Sequence, residues 1–234
     1  FRVTTSSSFN AIKVAELASS KMGLKKFAVL YDLNNEAFTR NWLNNFRTPL
    51  EETGGEIVVA SPFHSGAANL SFLSLVKDVL SYKPDAFLLL ASALDTALIS
   101  QQLHKLNVRS PVFASEWSFT SDVLNFGGIA VEGMVSYHSF NPESQRPQYL
   151  KYKDQYTRRF SYAPSFASVL SYDATNLILT ALRRNSTPGQ LRRSLLDLGV
   201  FPGLQSDIQL DQYGDVTRTL FHTVINNGQF RIID

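Results

Sequence analysis

Two short stretches carry polar groups where an α/β sheet would present them to a solute. Glu116 lies in Ala114-Ser-Glu-Trp117, just past an apolar run that reads as a strand. Ligands bind outside the carboxyl ends of strands in an open α/β sheet, and a carboxylate there accepts charge-assisted hydrogen bonds from an ammonium group. An exposed loop glutamate is the plainer alternative. Ser92 opens Ser92-Ala-Leu-Asp95 directly after another apolar run. That spacing is a capping-box arrangement, which leaves free backbone N–H groups and a hydroxyl suited to an anionic carboxylate. Ser92 as a helix cap only is the other reading, and both can hold together.

The remaining candidates are apolar. Phe38 begins the stripe Phe38, Trp42, Phe46, so it either walls a pocket or packs in the core. Trp117, next to the glutamate, either covers a pocket or lies on the surface. His64, His104, His138 and His222 show no metal-ligand spacing to one another, and no metal site is assigned. No Gly-x-Ser-x-Gly elbow, Gly-x-Gly-x-x-Gly fingerprint or Walker loop follows any strand. An enzyme using Glu116 and Asp95 as an acid/base pair would therefore lack both a nucleophile and a cofactor motif; no catalytic residue and no cofactor is assigned.

The elements that would position these residues repeat with a regular period. Buried-type strand signals occur at Phe27-Ala-Val-Leu-Tyr31, Glu56-Ile-Val-Val-Ala60, Ala86-Phe-Leu-Leu-Leu90 and Pro111-Val-Phe-Ala114. They recur at the length of a βα unit, which predicts a doubly wound parallel sheet. Helical patterns lie between them. Residues 37–52 carry Phe38, Trp42, Phe46 and Leu50, residues 70–82 carry Leu70, Leu73, Val76 and Leu80, and an earlier helix over 9–22 stops at Gly23. After Gly133 a strand over 134–137 leads into Pro142 and Pro147, then three helical patterns at 144–160, 165–185 and 188–198 without strands between them. Strands return at 208–210, 217–225 and 230–233, the last two joined by Asn226-Asn-Gly228, a strong hairpin signal.

Composition excludes several classes. At 44% hydrophobic and 12% aromatic, the 234 residues have ample material for packed cores. The net charge of +2 is spread over 22 basic and 20 acidic residues, without the basic stripe a nucleic-acid partner needs. Cysteine is absent, which removes disulfides and thiolate chemistry. The longest apolar stretch, residues 86–93, falls far short of the ~20 residues of a membrane span.

The ordered segments Phe1-Arg-Val-Thr4, Val29-Leu-Tyr-Asp32 followed by Phe38, Leu103-His-Lys-Leu-Asn-Val108, Gly127-Gly-Ile-Ala-Val-Glu-Gly-Met134, Tyr172-Asp-Ala174, and Gly203 through Asp211 into Gly214-Asp215 carry a family likeness. Together they resemble the C-terminal two thirds of leucine/isoleucine/valine-binding proteins, the type I periplasmic solute-binding proteins of ABC transporters. The resemblance implies an α/β fold of two lobes that close on a ligand. One lobe, residues 1–138 with 204–234, would be a complete doubly wound parallel sheet; residues 141–201 would give the helical part of an incomplete companion lobe. The chain would start just after the first of three crossings, and the incomplete lobe would leave helix surface over 165–185 for a partner, such as a second copy in a homodimer.

The same resemblance implies a periplasmic or extracytoplasmic receptor that delivers an amino acid or similar small molecule to a membrane permease; a sensory ectodomain of the same fold is the alternative. It puts Glu116 at the ammonium-binding position, Phe38 at an aromatic wall and Phe166 at the companion lobe's aromatic contact, with Ala167 the neighbouring choice there. Trp117 departs from the small residue expected beside the glutamate, which suggests altered selectivity. Ser92 and Ala93 stand where further aromatics are common, which implies a wider pocket and a ligand other than leucine.

Overall fold

Unbroken apolar runs such as 27–31 and 86–90 suit strands covered on both faces, and that is where the chain puts them. The computed structural model describes residues 1–184 and 187–233, in two units. The sheet unit comprises Ser7–His138 and the stretch from His222 onward; the helical unit comprises Phe1–Ser6 and Ser139–Phe221.

In the sheet unit the chain runs α1 (Ser7–Glu16), β1 (Lys26–Asp32), α2 (Glu36–Glu52), β2 (Glu56–Phe63), α3 (Phe72–Leu80), β3 (Ala86–Leu90), α4 (Ala93–Lys105), β4 (Val112–Ala114), α5 (Ser121–Gly127) and β5 (Val135–His138). It ends in β8 (Phe221–Asn226) and β9 (Gln229–Ile232). Strand order is β2-β1-β3-β4-β5-β8-β9, parallel from β2 to β5 and closed by the antiparallel β8–β9 hairpin. Asn227 and Gly228 at the hairpin tip both have positive φ (52° and 66°), as the two central residues of a type I′ turn require.

Alternate residues of β1 go to opposite faces. Ala28 and Leu30 join Phe87, Leu89, Val76, Val79, Ile99 and Leu103 in one core, which α3 and α4 cover. Phe27, Val29 and Tyr31 join Trp42, Phe46, Leu50, Leu88 and Phe113 in the other, which α1 and α2 cover. Helices therefore lie on both faces, which is the doubly wound arrangement. The first helix runs on through a π-helical turn (Leu17–Lys21) and stops at Gly23. Gly23 adopts φ 70°, and the Leu24 N–H donates back to the Ala18 carbonyl at 3.0 Å. A side chain is disfavoured at such a φ.

The helical unit contains α6 (Pro147–Phe160), α7 (Phe166–Arg184), α8 (Leu191–Leu196) and a two-stranded antiparallel ribbon of β6 (Val200–Pro202) and β7 (Asp207–Gln209). The end of the expected 165–185 helix, at Asn185, lies outside the described residues. In α7, Val169, Asp173, Leu177 and Ala181 are buried, while Tyr172, Ile178 and Leu179 stay exposed.

Two expectations are corrected. Residues 1–6 and 204–221 group with the helical unit instead of the sheet lobe. Side chains explain this: Arg2 makes a two-pronged pair with Asp215 (2.8 and 3.1 Å), and Arg218 is buried against Asp173 at 2.8 Å. The expected strand over 217–225 begins only at Phe221, since Arg218 is held in the interior by that pair and its N–H donates to Thr5 Oγ1.

Candidate functional site

In the sheet order, β1 is flanked by β2 on one side and β3 on the other, so the chain reverses direction of winding between β1 and β3. A crevice forms outside the carboxyl ends of strands at such a point. Asp32 ends β1, Ser92 follows β3, and Glu116 follows β4, so all three lie along this carboxyl edge.

A polar mesh ties the edge together. Buried Asp32 accepts from the N–H groups of Asn34 (2.9 Å) and Ser65 (3.1 Å) through one oxygen. Buried Asp95 accepts from the hydroxyls of Ser65 (2.7 Å) and Ser92 (2.9 Å), while its own N–H donates to Ser92 Oγ at 3.2 Å. Ser92 is thus the N-cap of α4 and its hydroxyl is engaged by Asp95; it is not a free donor for an anion. Asp95 itself brings a carboxylate to the positive end of the helix, where negative charge is stabilised. Ala93 is the first residue of α4.

Glu116 sits in a tight turn, Glu116–Ser118, beyond β4. Its Oε2 accepts from the indole Nε1 of Trp42 at 3.0 Å. Burial pushes the Glu116 carboxyl above its ordinary value, and the Trp42 and Asn10 donors pull it part of the way back, as burial without a compensating cation should. Among the described residues no basic side chain pairs with it. Trp117 meets Phe38 edge-to-face, ring centroids 5.6 Å apart at 79°. Both rings are half-buried, so they present apolar surface beside the carboxylate.

The structure therefore brings Phe38, Glu116 and Trp117 together and sets Ser92 and Ala93 at a neighbouring strand end. Phe166 begins α7 in the helical unit. Three partners escaped the sequence: Trp42, which its spacing assigned only to the core; Asn10; and Ser65, which reaches Asp95 from the loop after β2. A buried tryptophan seeks a partner for its N–H, and that was the one available signal. A separate cavity of about 450 Å³, lined by Leu103, His104, Arg109, Val112, Ile129 and Met134 among others, lies at the amino-terminal ends of β4 and β5, opposite the mouth.

Comparison with solved structures places this fold among solute-binding proteins. A leucine binding protein, LivK, from Thermotoga maritima superposes with TM-score 0.86 at 22% identity, covering 100% of this chain and 66% of that one. A solute-binding protein of an ABC transporter from R. palustris, in complex with benzoate, gives TM-score 0.86 at 16% identity, with 100% and 64% coverage. The substrate-binding protein LivJ from Streptococcus pneumoniae, in complex with isoleucine, gives TM-score 0.86 at 18% identity, with 97% and 64% coverage. The chain thus spans about two thirds of the length of these relatives. No curated protein matches it. The periplasmic binding protein family model matches residues 1–229, nearly the whole chain, and on that match the chain belongs to the periplasmic binding protein family.

Proposed function

We infer that the chain is the ligand-holding part of an extracytoplasmic receptor that takes up an amino acid or similar ammonium-bearing solute and hands it to the permease of an ABC importer. One observation carries this reading: the Glu116 carboxylate is held by an indole at the strand mouth with no basic side chain paired to it among the described residues. An ammonium supplies the missing charge, and Phe38 and Trp117 supply the wall for the rest of the ligand. Ser92 and Ala93 add room beside that wall. Family membership and the isoleucine complex of a protein of similar fold support the reading. Among the described residues no helix is long and apolar enough to cross a membrane.

Benzoate, bound by a protein of similar fold, separates two ligand classes. It has no ammonium and would bring negative charge against Glu116. The chain's two tryptophans, Trp42 and Trp117, both belong to the site, so their emission reports it without background. Leucine or isoleucine is expected to change that emission saturably and benzoate is not. A response to benzoate alone would overturn the amino-acid reading.

A second copy is the partner we assign to the helical unit. Tyr152, Tyr156, Phe160, Tyr162 and Tyr172 form a ring-to-ring cluster with neighbouring centroids 4.6–6.2 Å apart, and Phe160, Tyr162, Tyr172, Ile178 and Leu179 are exposed. Covering a side chain of this size stabilises by about 1.5–3 kcal/mol, so association is favoured. Sedimentation should show a concentration-dependent dimer that Phe160→Ser with Leu179→Ser weakens; a monomer at every concentration refutes it.

A further inference from the structure

The cavity at the opposite end of the strands from Glu116 is built within the sheet unit alone. Its walls come from the last turns of α4, the loop before β4 and the turn Gly128–Val131 before β5. At about 450 Å³ it falls within the range of about 300–1,000 Å³ typical of small-molecule pockets. Leu103, Val131 and Met134 are buried and give it an apolar floor, while Met22 and Ile129 stand exposed at the rim, Ile129 at 74%. Apolar groups left in water around a cavity favour an occupant with a hydrocarbon part.

Two donors share this lining. His104 lies in the last turn of α4 and Arg109 in the loop that follows. Both are exposed, and neither pairs with a carboxylate among the described residues. The carbonyls at the end of α4 are already taken: those of Gln102, Leu103 and His104 accept from the N–H groups of Leu106, Val108 and Asn107 at 2.9–3.0 Å. Glu132 is the one acidic residue in the lining, and its two oxygens accept from the N–H groups of Asn227 (2.9 Å) and Gly228 (2.6 Å). Its charge is thus spent on the β8–β9 turn and not on Arg109. A guanidinium without a partner presents a planar fork of N–H donors that matches a carboxylate.

We propose that this cavity is a second ligand site, for a small apolar monocarboxylate whose acid group pairs with Arg109 and His104 and whose hydrocarbon part covers Leu103, Val131 and Met134. A phosphate would satisfy the donors and leave the floor wet. An alcohol of the same chain length would cover the floor and leave Arg109 unpaired. None of the lining residues belongs to the Glu116 mouth, so the site stands or falls apart from the amino-acid reading. The lining also holds neither of the chain's two tryptophans, so binding here is silent in the emission that reports the mouth.

The test uses the whole chain with hexanoate, 1-hexanol and inorganic phosphate, followed by the ring C–H resonances of its four histidines and by tryptophan emission. Hexanoate is expected to move the His104 signals saturably and to leave the emission unchanged. The signals of His64, which meets Asn34 at 3.0 Å beyond the carboxyl end of β2, should stay in place. Hexanol and phosphate should each bind about tenfold more weakly than hexanoate. Arg109 is exposed, so Arg109→Met keeps the fold; it should weaken hexanoate about tenfold by removing a hydrogen bond to a charged group. Ala130→Phe, which narrows the cavity from its wall, should weaken hexanoate as well, and Glu116→Gln should leave it unchanged. Shifts that never saturate, or parental affinity in folded Arg109→Met, overturn the site. Phosphate binding as tightly as hexanoate overturns the apolar ligand class. A shift of His64 with altered emission puts hexanoate at the mouth and overturns the proposal too.

Discussion

Arg218→Ala is expected to destabilise the helical unit by about 3–5 kcal/mol, because it leaves Asp173 as an uncompensated buried charge. Both side chains are 1% exposed, and the guanidinium meets Asp173 Oδ2 at 2.8 Å. The other oxygen of Asp173 accepts from the N–H of Leu204 at 2.9 Å, and the N–H of Arg218 donates to Thr5 Oγ1 at 3.2 Å. One ion pair thus joins α7, the turn before β7 and the N-terminal segment. Apolar replacement of both partners, Arg218→Met with Asp173→Leu, should recover much of the loss, since a buried pair gains little over well-packed hydrophobes. Both tryptophans lie in the sheet unit, so urea unfolding followed by their emission should scarcely change, whereas far-ultraviolet dichroism should show the helical unit melting early. A loss below ~1 kcal/mol by dichroism would mean that water reaches the pair and that it behaves as a surface bridge.

The same pair shows where sequence reading runs out. Central strands were legible because burial on both faces leaves continuous apolar runs, as in β1 and β3, and because stretches of clear helical periodicity lie between them. Strand β6 has three residues, one of them Pro202, and α5 buries only Val123 and Gly127; neither is long enough to show a period. The division into units depends on Arg2 with Asp215, 213 positions apart, and on Arg218 with Asp173. Contacts of that kind leave no local pattern. At the site, Ser92 and Glu116 were visible because position past a strand end is a local property. Their partners were not: Ser65 lies 30 positions from Asp95, and Trp42 lies 74 positions from Glu116. Trp42 also fell on a helical apolar stripe, and the stripe accounts for its burial while saying nothing of its N–H.

Glu116→Gln should have two opposite effects, and their coexistence is the signature of a functional carboxylate. Binding of an ammonium-bearing ligand is expected to weaken by about 1.5–3 kcal/mol, the contribution of a hydrogen bond to a charged group. Stability without ligand should instead rise at neutral pH. Burial holds the folded-state value of Glu116 above that of the unfolded chain, so the folded protein holds this proton more tightly. Stability from this group is therefore fully present below the unfolded carboxylate's value and is lost as pH rises through the folded one. Above that window the parent bears a buried charge that glutamine never acquires, and below it the two proteins should be equally stable. Ligand binding has the reverse dependence. It needs the carboxylate, so it should fail on acidification at a higher pH than an ordinary glutamate would give. Thermal melts and calorimetric titrations across the acid range check both halves. A Glu116→Gln variant that is less stable at neutral pH and binds leucine as tightly as the parent would make Glu116 a structural acceptor for Trp42, and the ligand's ammonium would have to be sought elsewhere along the strand edge.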